Sequence, residues 1–327
     1  MTFHHEVLGI VYLVQMLIGV IGNFFLIYHY SFHFITQKRP RRINLILTQL
    51  SFANAIFLLS RGIPKALFSL EVNIVLNDAE CKILSYLQRV FRGLSLCSTC
   101  LLSSFQAIAI TPSSPKWEIL KIKSPKAIIP CCIFCWIFNL LMDVALLVYT
   151  TGAKQNSTKI KGRDKLRFCS LDPYALNSLK LQIWKSFYDS VFVVLMAVIS
   201  GYMVFLLYQH HQRVQHIHSS SLSLRVSPEI RATKAILLLL STFFFFNSLS
   251  SVLSLYAYFS EVTGPWMFYA AVFLSMSFQT VSPFVLINSE TWVSWKFCCF
   301  LQVMKDSCAT PILCQTHTEP QNQRFKK

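Results

Sequence analysis

Long runs of apolar residues alternate with short polar segments along the whole chain. Seven runs are long enough to cross a bilayer, because a hydrocarbon core of about 30 Å requires about 20 apolar residues in a helix that rises about 1.5 Å per residue. They extend over residues 7–32, 43–68, 83–110, 127–149, 186–208, 233–259 and 266–287. Backbone N–H and C=O groups inside lipid must bond to each other within a segment, so the pattern predicts seven transmembrane helices.

Composition agrees with this interpretation. The 327 residues are 54% hydrophobic and only 13% charged, and the mean hydropathy is +0.49, which is far more apolar than an ordinary soluble domain. We therefore predict an all-α membrane protein, with one seven-helix domain over residues 1–300 and a cytoplasmic, disordered tail over residues 301–327.

The distribution of basic residues predicts an extracellular N-terminus. Lys and Arg concentrate in the first, third and fifth loops and in the tail, and such residues are retained on the cytoplasmic side during insertion. The fourth loop is basic too and opposes this assignment. However, Asn156 in that loop begins an N-glycosylation sequon, and Cys169 could reach Cys81 at the outer end of the third helix. Both chemistries belong to the extracytoplasmic side.

The formal net charge of +16 does not predict a nucleic-acid partner. Basic residues lie on both faces of the predicted membrane protein, and those in the inner loops are explained by topology and by contact with anionic membrane lipid. We expect membrane lipid as a partner and no nucleic acid.

Several long segments identify a family. They are the run Arg89-Val-Phe-Arg92-Gly-Leu-Ser-Leu-Cys97-Ser-Thr-Cys100 and its continuation to Pro112, the loop Gln212-Arg213-Val214-Gln215-His216-Ile217, Leu50-Ser51-Phe52-Ala53-Asn54, Arg61-Gly62-Ile63-Pro64 and Val281-Ser282-Pro283-Phe284. In this order they resemble the vomeronasal type-1 receptors, pheromone receptors of the G-protein-coupled class, over roughly residues 8–300. The resemblance implies a rhodopsin-like bundle in the plasma membrane, a small pheromone-like ligand, a heterotrimeric G protein as partner, and no cofactor or enzymatic activity.

Three positions depart from the wider rhodopsin-like pattern. The third helix reads Phe105-Gln106-Ala107 where Asp-Arg-Tyr is typical, and the seventh has Ser282-Pro283 in place of Asn-Pro-x-x-Tyr. Asn54 stands where most rhodopsin-like receptors have a sodium-binding Asp. An amide lacks that negative charge, so we expect no sodium site.

Polar groups inside hydrocarbon are costly, which makes each one a functional candidate. Five lie in the outer halves of the third, fourth and fifth helices, namely Gln88, Arg89, Arg92, Asp143 and Asp189. One interpretation is a polar, ligand-binding cavity open to the outside. The alternative is that Arg92 pairs with one of the two aspartates and locks the bundle together.

Arg61 and Lys65, at the end of the second helix, could contribute to the same cavity or extend towards the lipid head groups. If they contribute, the cavity and the basic loop above it carry a net positive charge that attracts anions. This predicts a small amphiphilic ligand, such as a steroid, with a preference for an anionic head group.

The cysteines are assigned by location. The resemblance implies a disulfide between Cys81 and Cys169, while Cys298 and Cys299 follow the last span, where acylation is chemically plausible. Cys97 and Cys100 form a C-x-x-C inside a membrane helix, with no histidine nearby, and we interpret them as packing residues rather than as ligands of a metal.

The cytoplasmic end is where family analogy places the G protein. Candidate contact residues are Gln106, Lys116, Lys121, Arg213 and Arg231. Two other functions are compatible with seven spans. A bitter-taste-type receptor would not be expected to carry the Arg89 and Gln212 segments, and a small-solute transporter usually shows internal repeats and broken helices, which we do not detect.

Overall fold

The computed structural model describes residues 2–36, 42–70, 77–112, 115–144, 150–152, 169–171, 176–217, 228–259 and 266–289. Within them lie seven helices: α1 (Thr2–Thr36), α2 (Ile43–Ser69), α3 (Asp78–Ile110), α4 (Pro115–Met142), α5 (Leu176–Ile217), α6 (Pro228–Phe259) and α7 (Trp266–Ser289). Each contains a stretch long and apolar enough to cross a membrane. The prediction of a seven-helix membrane bundle is confirmed.

The helices differ from the predicted spans mainly at their ends. Most continue past the apolar run, since polar turns can extend into the head-group region; α6, for example, begins at Pro228, and proline is favoured in the first turn of a helix. The fourth helix is shorter than predicted. It ends at Met142 rather than near Tyr149, and Asp143 lies in the turn that follows it. The apolar residues after Asp143 concealed this boundary in the sequence.

Helix α3 lies at the centre of the bundle. It packs against α2, α4, α5 and α6, whereas α1 packs against α2 and α7. The outer surface is apolar as well: Ile10, Leu17 and Phe24 are exposed along one face of α1 while Met16 and Asn23 on its other face are buried. A helix of this kind can face lipid on one side and the protein interior on the other.

Glycine allows α1 to approach its neighbours closely. A Cβ on Gly19 would lie 2.5 Å from Leu58 Cδ1 of α2 and 3.0 Å from Thr280 Cα of α7, and one on Gly22 would lie 2.9 Å from Pro283 Cγ. Gly19 and Gly22 are therefore helix-contact positions, because a side chain at either would crowd the neighbouring helices.

The end of the bundle where α3 begins is here called the Cys81 end. Helix α3 begins with Glu80 accepting a hydrogen bond from the backbone N–H of Asn77 at 2.9 Å, and Cys81, in the first turn, is disulfide-bonded. A short strand β1 (Thr150–Gly152) pairs antiparallel with β2 (Cys169–Leu171). Strand β1 contacts α3, the helix that carries three of the candidate ligand-binding residues.

Candidate ligand-binding site

Helix α3 carries three of the predicted site residues into the half of the bundle nearest Cys81. Gln88 and Arg92 are four residues apart and share a face of the helix, and Arg89 lies beside that face, three residues before Arg92. Arg92 is exposed although Val90, Phe91 and residues 93–100 are all buried. Because α3 is surrounded by four other helices, the accessible surface of Arg92 faces a space inside the bundle rather than lipid.

The aspartates lie close to Arg89. Asp143 is buried, with 4% of its surface exposed, and both Asp143 and Asp189 interact electrostatically with the Arg89 guanidinium. The alternative pairing predicted from sequence assigned this role to Arg92. The structure places Arg89 there instead, so α3, α5 and the turn after α4 are joined by one cation and two carboxylates.

Arg61 points into the bundle as well. Among the described residues its buried Nε atom has no hydrogen-bond partner, its guanidinium carbon lies 5.9 Å from the centre of the Phe57 ring, and it lies within electrostatic range of Arg92. A side chain that extended to the head groups would have its nitrogens in water. The buried Nε and the contact with Phe57 therefore favour the cavity interpretation for Arg61 over the head-group alternative.

The amide of Gln88 has a structural partner. Its Nε2 donates a hydrogen bond of 2.8 Å to the carbonyl oxygen of Ser60, which joins α3 to α2 immediately beside Arg61. A similar link joins α1 to α7, where the Tyr12 hydroxyl donates to the carbonyl oxygen of Tyr269 at 2.9 Å. Tyr12 also lies within electrostatic range of Arg61. These bonds fix the helices that surround the two arginines.

Sequence reasoning missed a polar group below Arg89. The Tyr188 hydroxyl of α5 donates to Asn139 Oδ1 of α4 at 3.2 Å and lies 3.3 Å from Cys97 Sγ of α3. Asn139 in turn donates to Cys97 Sγ at 3.4 Å. Cys97 is a buried thiol that forms no disulfide with the described residues, and it takes part in interhelical bonding as well as packing. The sequence did contain a signal for this group, because Asn139 and Tyr188 are polar residues within the predicted fourth and fifth spans.

Neutral polar residues form a separate network in the middle of the bundle. Asn54 donates to Ser282 Oγ at 2.9 Å and accepts from Ser95 Oγ at 2.6 Å, which ties α2 to both α7 and α3. Gln49 donates to Ser98 Oγ at 2.9 Å. At the position of the usual sodium-binding carboxylate, this chain therefore has an amide whose nitrogen and oxygen both make hydrogen bonds.

At the end opposite Cys81, Gln106 lies inside the bundle. It is 6% exposed and its Nε2 donates to Thr233 Oγ1 of α6 at 2.9 Å. Of the other predicted G-protein contacts, Arg231 is exposed and Lys121 is partly buried. The side chains of Lys116 and Arg213, and the residues Asn156, Cys298 and Cys299, lie outside the part of the chain that the structure describes, as does the side chain of Cys169.

Comparisons with known proteins agree with this architecture. The model of the vomeronasal organ pheromone receptor family matches residues 7–299. Vomeronasal type-1 receptor 1 of Homo sapiens is 38% identical over 299 residues, covering 91% of this chain and 84% of that protein. Vomeronasal type-1 receptor 3 of Homo sapiens is 37% identical over 287 residues, covering 86% and 90%.

Among solved structures, squid rhodopsin shares the fold, with a TM-score of 0.69 over 95% of this chain and 89% of that chain, at 16% identity. The bundle is thus rhodopsin-like, and the matching family is one of multi-pass plasma-membrane receptors rather than of enzymes. On the family match over nearly the whole chain and the two receptor relatives, this protein belongs to the vomeronasal type-1 receptor family.

Proposed function

We propose that this receptor binds a small amphiphilic molecule in the half of the bundle nearest Cys81 and, when occupied, activates a heterotrimeric G protein at the opposite end. The observation that carries the proposal is the cluster of charged residues inside the helices at the Cys81 end. Arg61, Arg89 and Arg92 are opposed there by Asp143 and Asp189, which leaves a net positive charge. Charged groups inside a membrane bundle are costly and are typically retained for function.

The proposal requires that the Cys81 end face the outside of the cell. This orientation is supported by the excess of Lys and Arg in the loops at the opposite end, because such residues are retained on the cytoplasmic side. Three modifications follow from the same orientation and are proposed with it: a disulfide between Cys81 and Cys169, glycosylation of Asn156, and acylation of Cys298 or Cys299. The first is supported by the disulfide-bonded state of Cys81 and by the start of β2 at Cys169.

The opposite end offers a means of coupling. The bond from Gln106 to Thr233 joins α3 to α6, and a G protein could reach Gln106 only after that bond opens, because the side chain is buried. A ligand that binds better to an arrangement in which α6 has separated from α3 would shift the population towards it. Lys116, Lys121, Arg213 and Arg231 remain proposed surface contacts for the G protein.

The test is ligand-evoked signalling in cells that express the receptor with a promiscuous G-protein α subunit and a calcium indicator. The panel contains amphiphiles with carboxylate, sulfate, hydroxyl and amine head groups on the same apolar bodies, including steroid skeletons. We expect at least one compound to evoke a response that is absent from untransfected cells and that Arg89→Ala or Arg92→Ala reduces at least about tenfold in potency, the range expected when a charged hydrogen bond is lost.

Uptake of the same compounds is measured in parallel. Receptor-dependent uptake without G-protein activation would identify a transporter and contradict the proposal. Normal responses of both arginine variants to every agonist would place the ligand elsewhere in the molecule.

A further inference from the structure

The three arginines near Cys81 are not equivalent. Arg89 has two aspartates within electrostatic range. Arg61 and Arg92 make no hydrogen bond or ion pair with a carboxylate among the described residues, and the buried Nε of Arg61 has no hydrogen-bond partner among them. The two side chains come from adjoining turns of α2 and α3, because Gln88, one turn before Arg92, donates to the carbonyl oxygen of Ser60, next to Arg61, at 2.8 Å. The site therefore contains one arginine near carboxylates and two neighbouring arginines whose charge is unbalanced.

An unbalanced pair of cations inside a membrane protein is an unfavourable arrangement in the empty receptor. Like charges in a low-dielectric interior repel, and a buried N–H donor without an acceptor loses the hydrogen bond that water would have given it. Both costs are offset when an anion binds between the two guanidinium groups, because each guanidinium presents several N–H donors in a planar fork that matches carboxylate and sulfate oxygens.

The surroundings of the pair are apolar and aromatic. Arg61 lies over the ring of Phe57 and close to Tyr12, and both belong to a packed cluster on the same side of the bundle. That cluster also contains Met16, Leu58, Phe91, Leu94, Tyr269 and Met276. An occupant with a single anionic group and an apolar body would satisfy both environments, whereas an inorganic anion would satisfy only the first.

We infer that Arg61 and Arg92 together form the binding subsite for the anionic head group of an amphiphilic ligand, and that Arg61 is a specificity-determining residue of the receptor. The inference rests on the proposed function for the location of the ligand. It assigns the head group to the two arginines that lack a carboxylate partner among the described residues. Arg89 then acts on the ligand indirectly, by holding α3 near α5 and the turn after α4, so that Arg89→Ala lowers potency through the shape of the site.

The test measures binding without a G protein. The full-length receptor is purified in a neutral maltoside detergent, and its unfolding temperature is followed with a thiol-reactive dye, which reports the exposure of buried thiols such as those of Cys97, Cys100 and Cys135. Decyl sulfate, decanol and inorganic sulfate are titrated against the wild type and the variants Arg61→Gln, Arg92→Gln and Lys65→Gln. Lys65 is a matched control, since it is a cation one turn further along α2 and already has a partner.

We expect decyl sulfate to raise the unfolding temperature at lower concentration than decanol, and inorganic sulfate to have little effect. The half-maximal concentration of decyl sulfate should rise about 10- to 100-fold in Arg61→Gln and Arg92→Gln, as for a lost charge-assisted hydrogen bond, and remain unchanged in Lys65→Gln. Without ligand, Arg61→Gln should unfold at the same temperature as the wild type or higher, because an unpartnered charge has been removed. Arg61→Lys should restore part of the preference for sulfate over alcohol.

Several results would overturn the inference. They are equal effects of decanol and decyl sulfate on the wild type, an unchanged half-maximal concentration in Arg61→Gln, a full effect of inorganic sulfate alone, and failure of Arg61→Gln to fold. A further arm adds phosphatidylglycerol to the micelles. If this lipid reproduces the Arg61-dependent stabilisation, the pair binds a membrane lipid and not a diffusible ligand. Signalling by neutral agonists alone would leave the proposed function intact and remove only the head-group subsite.

Discussion

Two polar regions of the bundle differ in how their groups are satisfied. In the middle, Asn54 and its serine partners are neutral and bonded to one another across three helices. Near Cys81, the polar groups are charged, and the cations Arg61 and Arg92 lie within electrostatic range of each other and have no carboxylate partner among the described residues. Satisfied polar groups hold helices in one arrangement, whereas unsatisfied ones favour a state in which something else supplies their partners. The neutral network around Asn54 therefore stabilises the bundle, whereas Arg61 and Arg92 are suited to bind a ligand.

The largest effect on stability is expected from Arg89→Met. The substitution removes the cation that faces Asp143 and Asp189 and leaves a buried carboxylate without it. Removal of one partner of a buried charge pair typically costs about 3 to 5 kcal/mol. The unfolding temperature in neutral detergent should therefore fall sharply.

Arg92→Met is the matched comparison for that measurement. It removes the same charge from the same helix, but from a residue that faces another arginine, so the unfolding temperature should stay the same or rise. The double variant Arg89→Met with Asp143→Asn should recover part of the loss. If Arg92→Met is as damaging as Arg89→Met, the division between a paired and an unpaired arginine is wrong.

A second test concerns the closely packed middle of the bundle. Gly19→Ala places a Cβ 2.5 Å from Leu58 Cδ1 and 3.0 Å from the backbone of Thr280, and such overpacking typically costs about 1 to 3 kcal/mol. Gly201→Ala is the control, because a Cβ there meets no atom within 4 Å. It should be neutral or stabilising, since alanine favours helix over glycine by about 1 kcal/mol. Equal loss of thermal stability in both variants would mean that α1 is not held closely between α2 and α7.

The number and order of the helices could be predicted because lipid imposes a simple rule on sequence. A run of about 20 apolar residues must be helical to satisfy its backbone, and this holds whatever its neighbours are. The end of α4 could not be predicted in the same way. Residues 144–149 are mostly apolar, and nothing in the local sequence shows that Asp143 would lie in a turn within electrostatic range of Arg89 in another helix.

A third test removes the centre of the neutral network. Asn54→Leu keeps the branching and the number of heavy atoms of the side chain but removes the acceptor of Ser95 and the donor to Ser282. A loss of about 1 to 2 kcal/mol is expected, because hydrogen bonds between membrane helices contribute modestly and the serines can bond within their own helices.

Asn247→Leu is the control for Asn54→Leu, measured by the same thermal unfolding. The Asn247 side chain is partly buried in α6 and donates to the carbonyl oxygen of Phe243 one turn earlier in the same helix, at 3.0 Å. Its removal should change the unfolding temperature by less than the removal of Asn54. The opposite order would show that the interhelical network contributes little to stability.

The candidate site was only partly readable from sequence. Spacing along α3 placed Gln88 and Arg92 on one face, and charge alone selected Asp143 and Asp189. The partners of each arginine could not be read, because they depend on how α2, α4 and α5 rotate about their own axes. Arg61 illustrates the limit: a basic residue near a helix end favours the head-group interpretation, and only the packing of α2 against α3 turns it towards Arg92.

We expect the smallest effect on stability from Gln106→Leu, at the end of the bundle opposite Cys81. This variant is tested by its effect on signalling. This substitution removes the hydrogen bond to Thr233 that joins α3 to α6. A bond worth about 1 kcal/mol shifts a two-state equilibrium about fivefold, so basal G-protein activity should rise by up to that factor. Thr233→Val should produce the same rise, and the double variant no more than either single one.

Thr242→Val is the control for this last measurement, because the Thr242 hydroxyl bonds within α6, to the carbonyl oxygen of Leu239 at 2.8 Å. Its basal activity should match the wild type. Loss of signalling in Gln106→Leu together with normal signalling in Thr233→Val would mean that Gln106 acts as a G-protein contact and not through its bond to α6. Gln106 would then resemble the arginines near Cys81, as a polar residue that serves binding of a partner molecule. Thr233 would have no role of its own in signalling.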